Sequence, residues 1–195
     1  MLALGVFAAL TLLFSWPLIL RISREIPASG QPVDPQHILY GLNWGATALL
    51  ENPLRYFQAT FFYPYPDAMA YLDQMFALSL LAAPILLVTG SWIVAYNGTW
   101  ILTFLLSGWG AYLLTRHLTR SVSASFLAGV LFAFHPLRYH SAGILHVVGV
   151  MWIPFALLML HRWVDTERNR YLLAFLAFSL AQFLSSGYTG SFLLL

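Results

Sequence analysis

Two stretches of the chain hold the side chains best suited to chemistry. The first, residues 21–73, contains five of the seven acidic residues: Glu25, Asp34, Glu51, Asp67 and Asp73. The second, residues 135–146, contains Arg138, His140 and His146. A carboxylate can take a proton from a hydroxyl group, a guanidinium can hold a phosphate through two hydrogen bonds, and an imidazole can donate a hydrogen bond or a proton. Acid–base and phosphate-binding chemistry therefore becomes available if the fold brings these two stretches together.

The elements that must position these residues are strongly apolar. Hydrophobic residues make up 60% of the sequence and charged residues 8%, whereas a soluble domain carries about 25% charged residues. This composition predicts an all-α, polytopic helical membrane protein. The absence of cysteine excludes disulfide bonds and thiolate metal sites. All nine basic residues are Arg, the net charge is only +2, and the charges lie in separate loops, so no nucleic-acid partner is expected.

Six apolar segments are candidates for membrane spans. They cover residues 2–22, 74–96, 98–115, 121–136, 147–161, and 171 to the end. The first is long enough to cross a hydrocarbon core about 30 Å thick. It lacks a basic n-region and a clear small-residue cleavage site, which favours a retained anchor over a cleaved signal peptide. The last segment is still apolar at Leu195, so residues 1–195 are expected to form one transmembrane domain that is incomplete at its C-terminus.

The distribution of Arg residues predicts the orientation of these segments. The turns at residues 116–120 and 161–170 are short and basic, which places both in the cytoplasm. Residues 136–146 then lie outside, together with a long external loop at residues 23–73 if the N-terminus is cytoplasmic. Only one crossing can connect this loop to the first basic turn, yet two apolar segments intervene. Because Pro84 and Gly90 interrupt residues 74–96, this segment is predicted to be a re-entrant or kinked helix.

A simpler count of spans places the N-terminus and the long loop on the opposite sides of the membrane. If every apolar segment crosses the membrane and the N-terminus lies outside, the long loop at residues 23–73 lies in the cytoplasm. Asp34 and Arg138 would then be separated by the bilayer, and they could not share a site.

Several motifs follow one another in an order known from a superfamily of membrane enzymes. They are Val33-Asp34-Pro35 early in the polar stretch, Phe62-Tyr63-Pro64, Asn97-Gly-Thr through Tyr112-Leu-Leu-Thr-Arg116, and Phe126-Leu-Ala-Gly129 through His135-Pro136. This layout resembles the GT-C superfamily of polyprenyl-phosphate-dependent glycosyltransferases. It is distantly similar to oligosaccharyltransferase catalytic subunits and protein mannosyltransferases.

The resemblance implies a function and a set of site residues. The enzyme would be a multi-pass protein of the cell (inner) membrane that transfers a sugar from a polyprenyl-phosphate donor to a glycan, lipid or protein acceptor on the outer face. Asp34 would be the essential acid of the first external loop and the catalytic base. Arg138 would bind the leaving phosphate, and His140 or His146 would give it a hydrogen bond or a proton. The aromatic residues of the loop would stack on sugar or lie against lipid headgroups.

The chain departs from the oligosaccharyltransferase pattern at one place. Those enzymes carry a second acidic motif after the span that ends at Pro136, whereas this chain has Arg138, His140 and His146 there. A divalent metal is therefore not supported by a second acid, and no cofactor is predicted with certainty. The three histidines at positions 135, 140 and 146 are spaced by five and six residues, which does not align them on one helical face.

Each of these roles has a structural alternative. Asp34 precedes Pro35 and is typical of the start of a helix, with proline at its first position. Arg138 is also typical of a side chain that extends to the membrane interface. For the whole chain, the alternatives are a lipid-linked-sugar transporter or flippase, which would have inverted repeats and broken helices, and a non-catalytic membrane scaffold.

Overall fold

The computed structural model describes residues 2–27 and 34–193, and for residue 34 it describes the backbone alone. The described residues form helices connected by turns, with no strand among them, so the predicted all-α class is confirmed. In chain order the helices are α1 (Leu2–Phe14), α2 (Asp34–Glu51), α3 (Phe76–Thr89), α4 (Trp92–Thr119), α5 (Val122–Phe134), α6 (Pro136–His140), α7 (Leu145–Val148), α8 (Trp152–Thr166), α9 (Asn169–Ser185) and α10 (Gly187–Ser191).

Helices α1, α5 and α8 pack against the long helix α4, and α9 packs on α8 and α3. Phe7 of α1 is fully buried between α4 and α5. It fits there because Gly108 and Gly129 leave room for its ring. A Cβ atom added to Gly129 would lie 2.3 Å from the Phe7 ring and 2.7 Å from the carbonyl oxygen of Gly108. Small residues therefore set how closely the first helix approaches its neighbours.

The bundle has two different ends. At one end, the last turns of α4 and α8 lie side by side, with His117 Nε2 2.9 Å from Asp165 Oδ2. We call this the basic end (residues 116–121 and 161–170). At the other end, Phe14 of α1 stacks on Phe134 of α5 with ring centroids 4.7 Å apart. We call this the polar end (residues 34–75 and 136–149). The two basic turns predicted to share one surface are therefore neighbours in the structure.

The turns on either side of α4 are built in the same way. Gly90 and Arg120 adopt left-handed backbone conformations, with φ of 63° and 57°, and end α3 and α4 respectively. The serine that follows each of them, Ser91 or Ser121, caps the next helix by accepting a hydrogen bond from a backbone N–H. The sequence Thr-x-Ser therefore marks both helix–helix turns.

Helix α3 runs beside the N-terminal half of α4. Its 14 residues span about 21 Å, and its Ile85 packs against Gly98, where an added Cβ would lie 2.8 Å from the Ile85 Cδ1 atom. The break between the two apolar segments lies at Gly90–Ser91 rather than between residues 96 and 98, because the helix-ending glycine and the capping serine are there. Asn97 lies within α4, where its Nδ2 donates to the carbonyl oxygens of Ile22 and Glu25.

The polar stretch predicted as a long loop contains ordered structure. Helix α2 packs on α3, and two 3₁₀ turns follow at Pro53–Arg55 and Ala68–Tyr71. The second turn closes a small apolar core that includes Met69 and Tyr56. Trp44 of α2 donates its indole N–H to the Tyr56 carbonyl oxygen at 2.9 Å. The stretch thus has a small core of its own, and the packing of α2 on α3 attaches it to the bundle.

One stretch of the described residues, Leu145–Thr166, is long and apolar enough to cross a membrane. It has 22 residues and comprises α7 and α8. Helices α1 and α3 are also apolar but shorter. By length and composition, therefore, this one stretch meets the requirement for a span.

Candidate functional site

The two polar stretches meet at the polar end. Asp73, just before α3, has its Oδ2 atom 3.3 Å from Nε2 of His146 on α7. Leu78, one turn into α3, packs beside Gly149, where an added Cβ would lie 3.4 Å from a Leu78 methyl carbon. The packing of α3 against the segment after α7 therefore brings an acid of the first stretch to a histidine of the second.

Buried polar side chains fix the position of the segment that carries His146. Tyr96 and Trp100 of α4 donate to the carbonyl oxygens of Gly143 and Ala142, both at 3.0 Å. Gln182 of α9 donates to the Gly149 carbonyl oxygen at 2.9 Å. These bonds satisfy backbone groups that have no helical partner. The segment before and after α7 is thereby tied to two different helices.

An open cavity of about 810 Å³ lies where the two stretches meet. This volume is in the range that holds small-molecule ligands, about 300–1,000 Å³. Six of the residues that line it have polar side chains: Gln36, His37, Tyr40, Thr60, Asp73 and His146. The remaining wall is mostly apolar and aromatic: Ile38, Phe61, Phe62, Leu72, Met75, Ile144 and Val147. A few convergent polar groups in an apolar cavity are typical of a binding site.

The aromatic wall is braced by contacts among its own rings. Tyr40 lies edge-on to Phe61, with centroids 5.5 Å apart, and Phe61 lies edge-on to Phe62 at 5.0 Å. The Tyr40 hydroxyl is also 2.9 Å from the Thr60 hydroxyl. Edge-to-face pairs at these distances are favourable. The predicted aromatic element Phe62-Tyr63-Pro64 thus contributes Phe62 to the cavity.

Helix α2 begins at Asp34, and Pro35 follows in its first turn. A helix start at this point is what the structural alternative for Asp34 predicts. The side chain of Asp34 and residues 28–33 lie outside the described part of the structure. The catalytic role of Asp34 therefore stays a prediction.

Arg138 is buried, with 4% of its surface exposed, and does not line the cavity. Its two terminal nitrogens donate to the carbonyl oxygens of Ala133, at 2.9 Å, and Val148. Its guanidinium carbon lies 4.2 Å from the centre of the Phe104 ring. Both carbonyls are near C-terminal ends of helices, where carbonyl oxygens lack intrahelical partners and favour a positive charge. The structure thus shows Arg138 joining the end of α5 to the end of α7.

The charge of Arg138 is maintained without an acidic partner among the described residues. Burial lowers the pKa of Arg138 to about 9, which still leaves the guanidinium protonated near neutral pH. A buried cation requires nearby oxygen atoms or an aromatic face to offset its lost hydration. The two carbonyls and Phe104 supply these.

The predicted histidines divide into two groups. His140 is exposed at the end of α6 and does not line the cavity. His146 is buried and lines the cavity beside Asp73. Of the predicted site residues whose side chains are described, His146 is the one that reaches the cavity. Among the described residues, no three His, Asp or Glu side chains are grouped closely enough to hold a metal ion.

Sequence reasoning missed Asp73, Gln36 and His37 as cavity residues. In the sequence, Asp73 is only one of the acids of the polar stretch, and its partner His146 lies 73 positions later. The available signals were the polar residues Tyr96 and Gln182 inside otherwise apolar helices, because buried polar groups need partners. Tyr96 and Gln182 therefore indicate that another segment packs against α4 and α9 and offers them hydrogen-bond acceptors. In the structure, that segment is the one around His146.

No protein-family model, curated protein or solved structure matches the chain. The assignment of a function therefore depends on the chain's own residues.

Proposed function

We propose that this chain belongs to a multi-pass membrane protein in which helices α1, α4, α5, α8 and α9 cross the bilayer. The composition and the stretch Leu145–Thr166 support this. So do the leucines exposed on outward faces of α5 and α9, such as Leu127, Leu131 and Leu173, each more than 60% exposed. Apolar surface of this kind is unfavourable in water and favourable in lipid. The basic end then faces the cytoplasm and the polar end faces outward.

Within this arrangement, the chain acts as a glycosyltransferase that takes a sugar from a polyprenyl-phosphate donor. The observation that carries the proposal is the cavity of about 810 Å³ at the polar end. It combines an aromatic wall with a carboxylate, an imidazole and hydroxyl groups, which suits a polyhydroxylated ligand. A lipid-linked donor holds its phosphate at the headgroup level, which is where this end of the bundle would lie.

The transfer reaction requires a base for the acceptor and a route for the leaving group. The base takes the proton of the acceptor hydroxyl while its oxygen attacks the anomeric carbon of the donor sugar. The bond between that carbon and the phosphate oxygen breaks, and the polyprenyl phosphate leaves with the electron pair. Asp34 is the proposed base, by its position in the polar stretch. His140, exposed at the end of α6 outside the cavity, is the proposed donor of a hydrogen bond to the phosphate.

The proposal is tested with Asp34→Asn in the full chain, reconstituted in lipid nanodiscs. Consumption of polyprenyl-phosphate-glucose and polyprenyl-phosphate-mannose in the presence of cell-envelope acceptors is measured by mass spectrometry. Retention of farnesyl phosphate, a short polyprenyl phosphate, is measured on the same samples by native mass spectrometry. Asp34→Asn should lose turnover and retain the lipid phosphate.

Asp67→Asn is the matched control. Asp67 is exposed, lies in the same polar stretch and does not line the cavity, and its left-handed backbone conformation is one that asparagine tolerates. The control should keep full turnover. A wild-type protein that retains farnesyl phosphate without consuming either donor would instead be a transporter or a scaffold.

A further inference from the structure

The side chains of Asp73 and His146, which form a pair, differ in how far they are exposed to solvent. The His146 side chain is 10% exposed and the Asp73 side chain is 59% exposed. The carboxylate is therefore the member of the pair that a ligand in the cavity can reach. The imidazole lies behind it, against the bundle.

His146 is held where it can orient the carboxylate. Its neighbours on α7, Leu145 and Val148, are at most 1% exposed. The segment on either side is tied to α4 and α9 through Gly143 and Gly149. Nε2 of His146 lies 3.3 Å from Oδ2 of Asp73, so the imidazole is next to one carboxylate oxygen, and the carboxylate can still accept further hydrogen bonds.

The charge of the cavity lining also limits which ligands can bind. No arginine is among the described residues that line it, and the chain contains no lysine. A carboxylate in such a site favours neutral hydroxyl donors and disfavours an anionic group beside it, so the phosphate of the donor would lie outside the cavity. Phe62 also lines the cavity, and with 56% of its surface exposed it offers a flat apolar ring.

From these features we propose that Asp73, positioned by His146, binds the hydroxyl groups of a neutral sugar ring, with the Phe62 ring against a C–H face of that sugar. The inference rests on the proposed transferase function and deepens it by assigning the residues that recognise the sugar. It gives His146 a positioning role through Asp73. Sugars that carry a carboxylate of their own are excluded from the site.

The test compares Asp73→Asn with Asp67→Asn, which makes the same change in charge outside the cavity. Binding of methyl α-glucoside, methyl α-mannoside and methyl α-glucuronide to the nanodisc-embedded chain is measured by saturation-transfer NMR titration. The wild type should bind a neutral glycoside and not the glucuronide. Asp73→Asn should weaken neutral-glycoside binding by about tenfold or more, the usual effect of losing a hydrogen bond to a charged group. Asp67→Asn should bind like the wild type.

The role of His146 is tested with two substitutions. His146→Gln keeps an N–H donor and should retain part of the glycoside affinity, whereas His146→Leu should lose as much affinity as Asp73→Asn. Thermal melting of both variants separates this effect from unfolding. Equal loss of affinity in the two variants at equal melting temperature would overturn the positioning role.

The outcomes separate this inference from the proposed function. If the wild type retains farnesyl phosphate and binds a neutral glycoside, but Asp73→Asn binds it unchanged, the sugar-recognition role of Asp73 is wrong and the transferase proposal stands. Preferential binding of the glucuronide would likewise overturn the charge selection. If the wild type binds neither farnesyl phosphate nor any glycoside, both proposals fail.

Discussion

At the scale of single residues, the sequence indicates which side chains are unusual but not what they contact. Arg138 stands out as a charge beside apolar segments, and a phosphate ligand is a reasonable expectation for it. Its contacts are the carbonyl oxygens of Ala133 and Val148 and the ring of Phe104. Backbone carbonyls carry no mark in the sequence, so these partners could not be predicted.

These contacts lead to a prediction for Arg138→Met. The substitution leaves two buried carbonyl oxygens without their donors, at a cost of about 1–3 kcal/mol for each. The melting temperature of the protein in detergent micelles should fall by several degrees. The melting temperature of Arg138→Lys should lie between those of Arg138→Met and the wild type, because lysine keeps the charge but not the planar fork.

Arg55→Met serves as the control, since Arg55 is exposed in the 3₁₀ turn after α2. It should melt like the wild type. If Arg138→Met also melts like the wild type but no longer retains farnesyl phosphate, Arg138 is a phosphate ligand, as the sequence predicted, and the structural role is wrong.

At the scale of elements, the helices are predictable and their ends less so. Apolar segments locate most of the helices, and the basic turns at the ends of α4 and α8 are where the sequence places them. Hydropathy predicts the boundary between α3 and α4 too late in the chain, because it does not detect a break of two residues. The Thr-x-Ser pattern at residues 89–91 and 119–121 would have located both turns. Helix α2 lies within the stretch that the sequence predicts as a loop, because five of the seven acidic residues are in that stretch and lower its hydropathy.

The contact between α1 and the α4–α5 pair leads to a second prediction. In Gly129→Ala the new methyl group would lie within 3 Å of both the Phe7 ring and the backbone oxygen of Gly108. Helix α1 must then move away from α5, and overpacking of this kind costs about 1–3 kcal/mol. Thermal melting in detergent measures the loss.

The control for this variant lies on α1 itself. A Cβ added to Gly5 meets no atom within 4 Å, so Gly5→Ala should keep or raise the melting temperature, because alanine favours a helix more than glycine does. Equal melting of Gly129→Ala and the wild type would show that α1 does not pack on α5 as described.

At the scale of the whole molecule, the arrangement of the two ends could be predicted, whereas the cavity could not. Basic turns and apolar lengths are local features of a sequence, and they predict which turns share a surface. The cavity is assembled from four separated parts of the chain, residues 36–40, 60–62, 72–75 and 144–147. Their meeting depends on how α3 packs beside α4 and on the bonds that hold the segment around α7. No local pattern specifies that packing.

The separation of the two ends gives the last prediction, which concerns membrane orientation. The chain has no cysteine, so single cysteines can be placed at exposed positions of either end: Tyr63 and His140 at the polar end, Leu118 and Thr166 at the basic end. In intact cells a membrane-impermeant maleimide should label positions 63 and 140 and leave 118 and 166 unlabelled. The cause is retention of short Arg-rich turns in the cytoplasm. All four positions should react once detergent opens the membrane, and the cysteine-free parent should stay unlabelled. Labelling of position 63 together with 118 and 166, but not with 140, would put the bilayer between the two halves of the cavity and exclude a shared outer site.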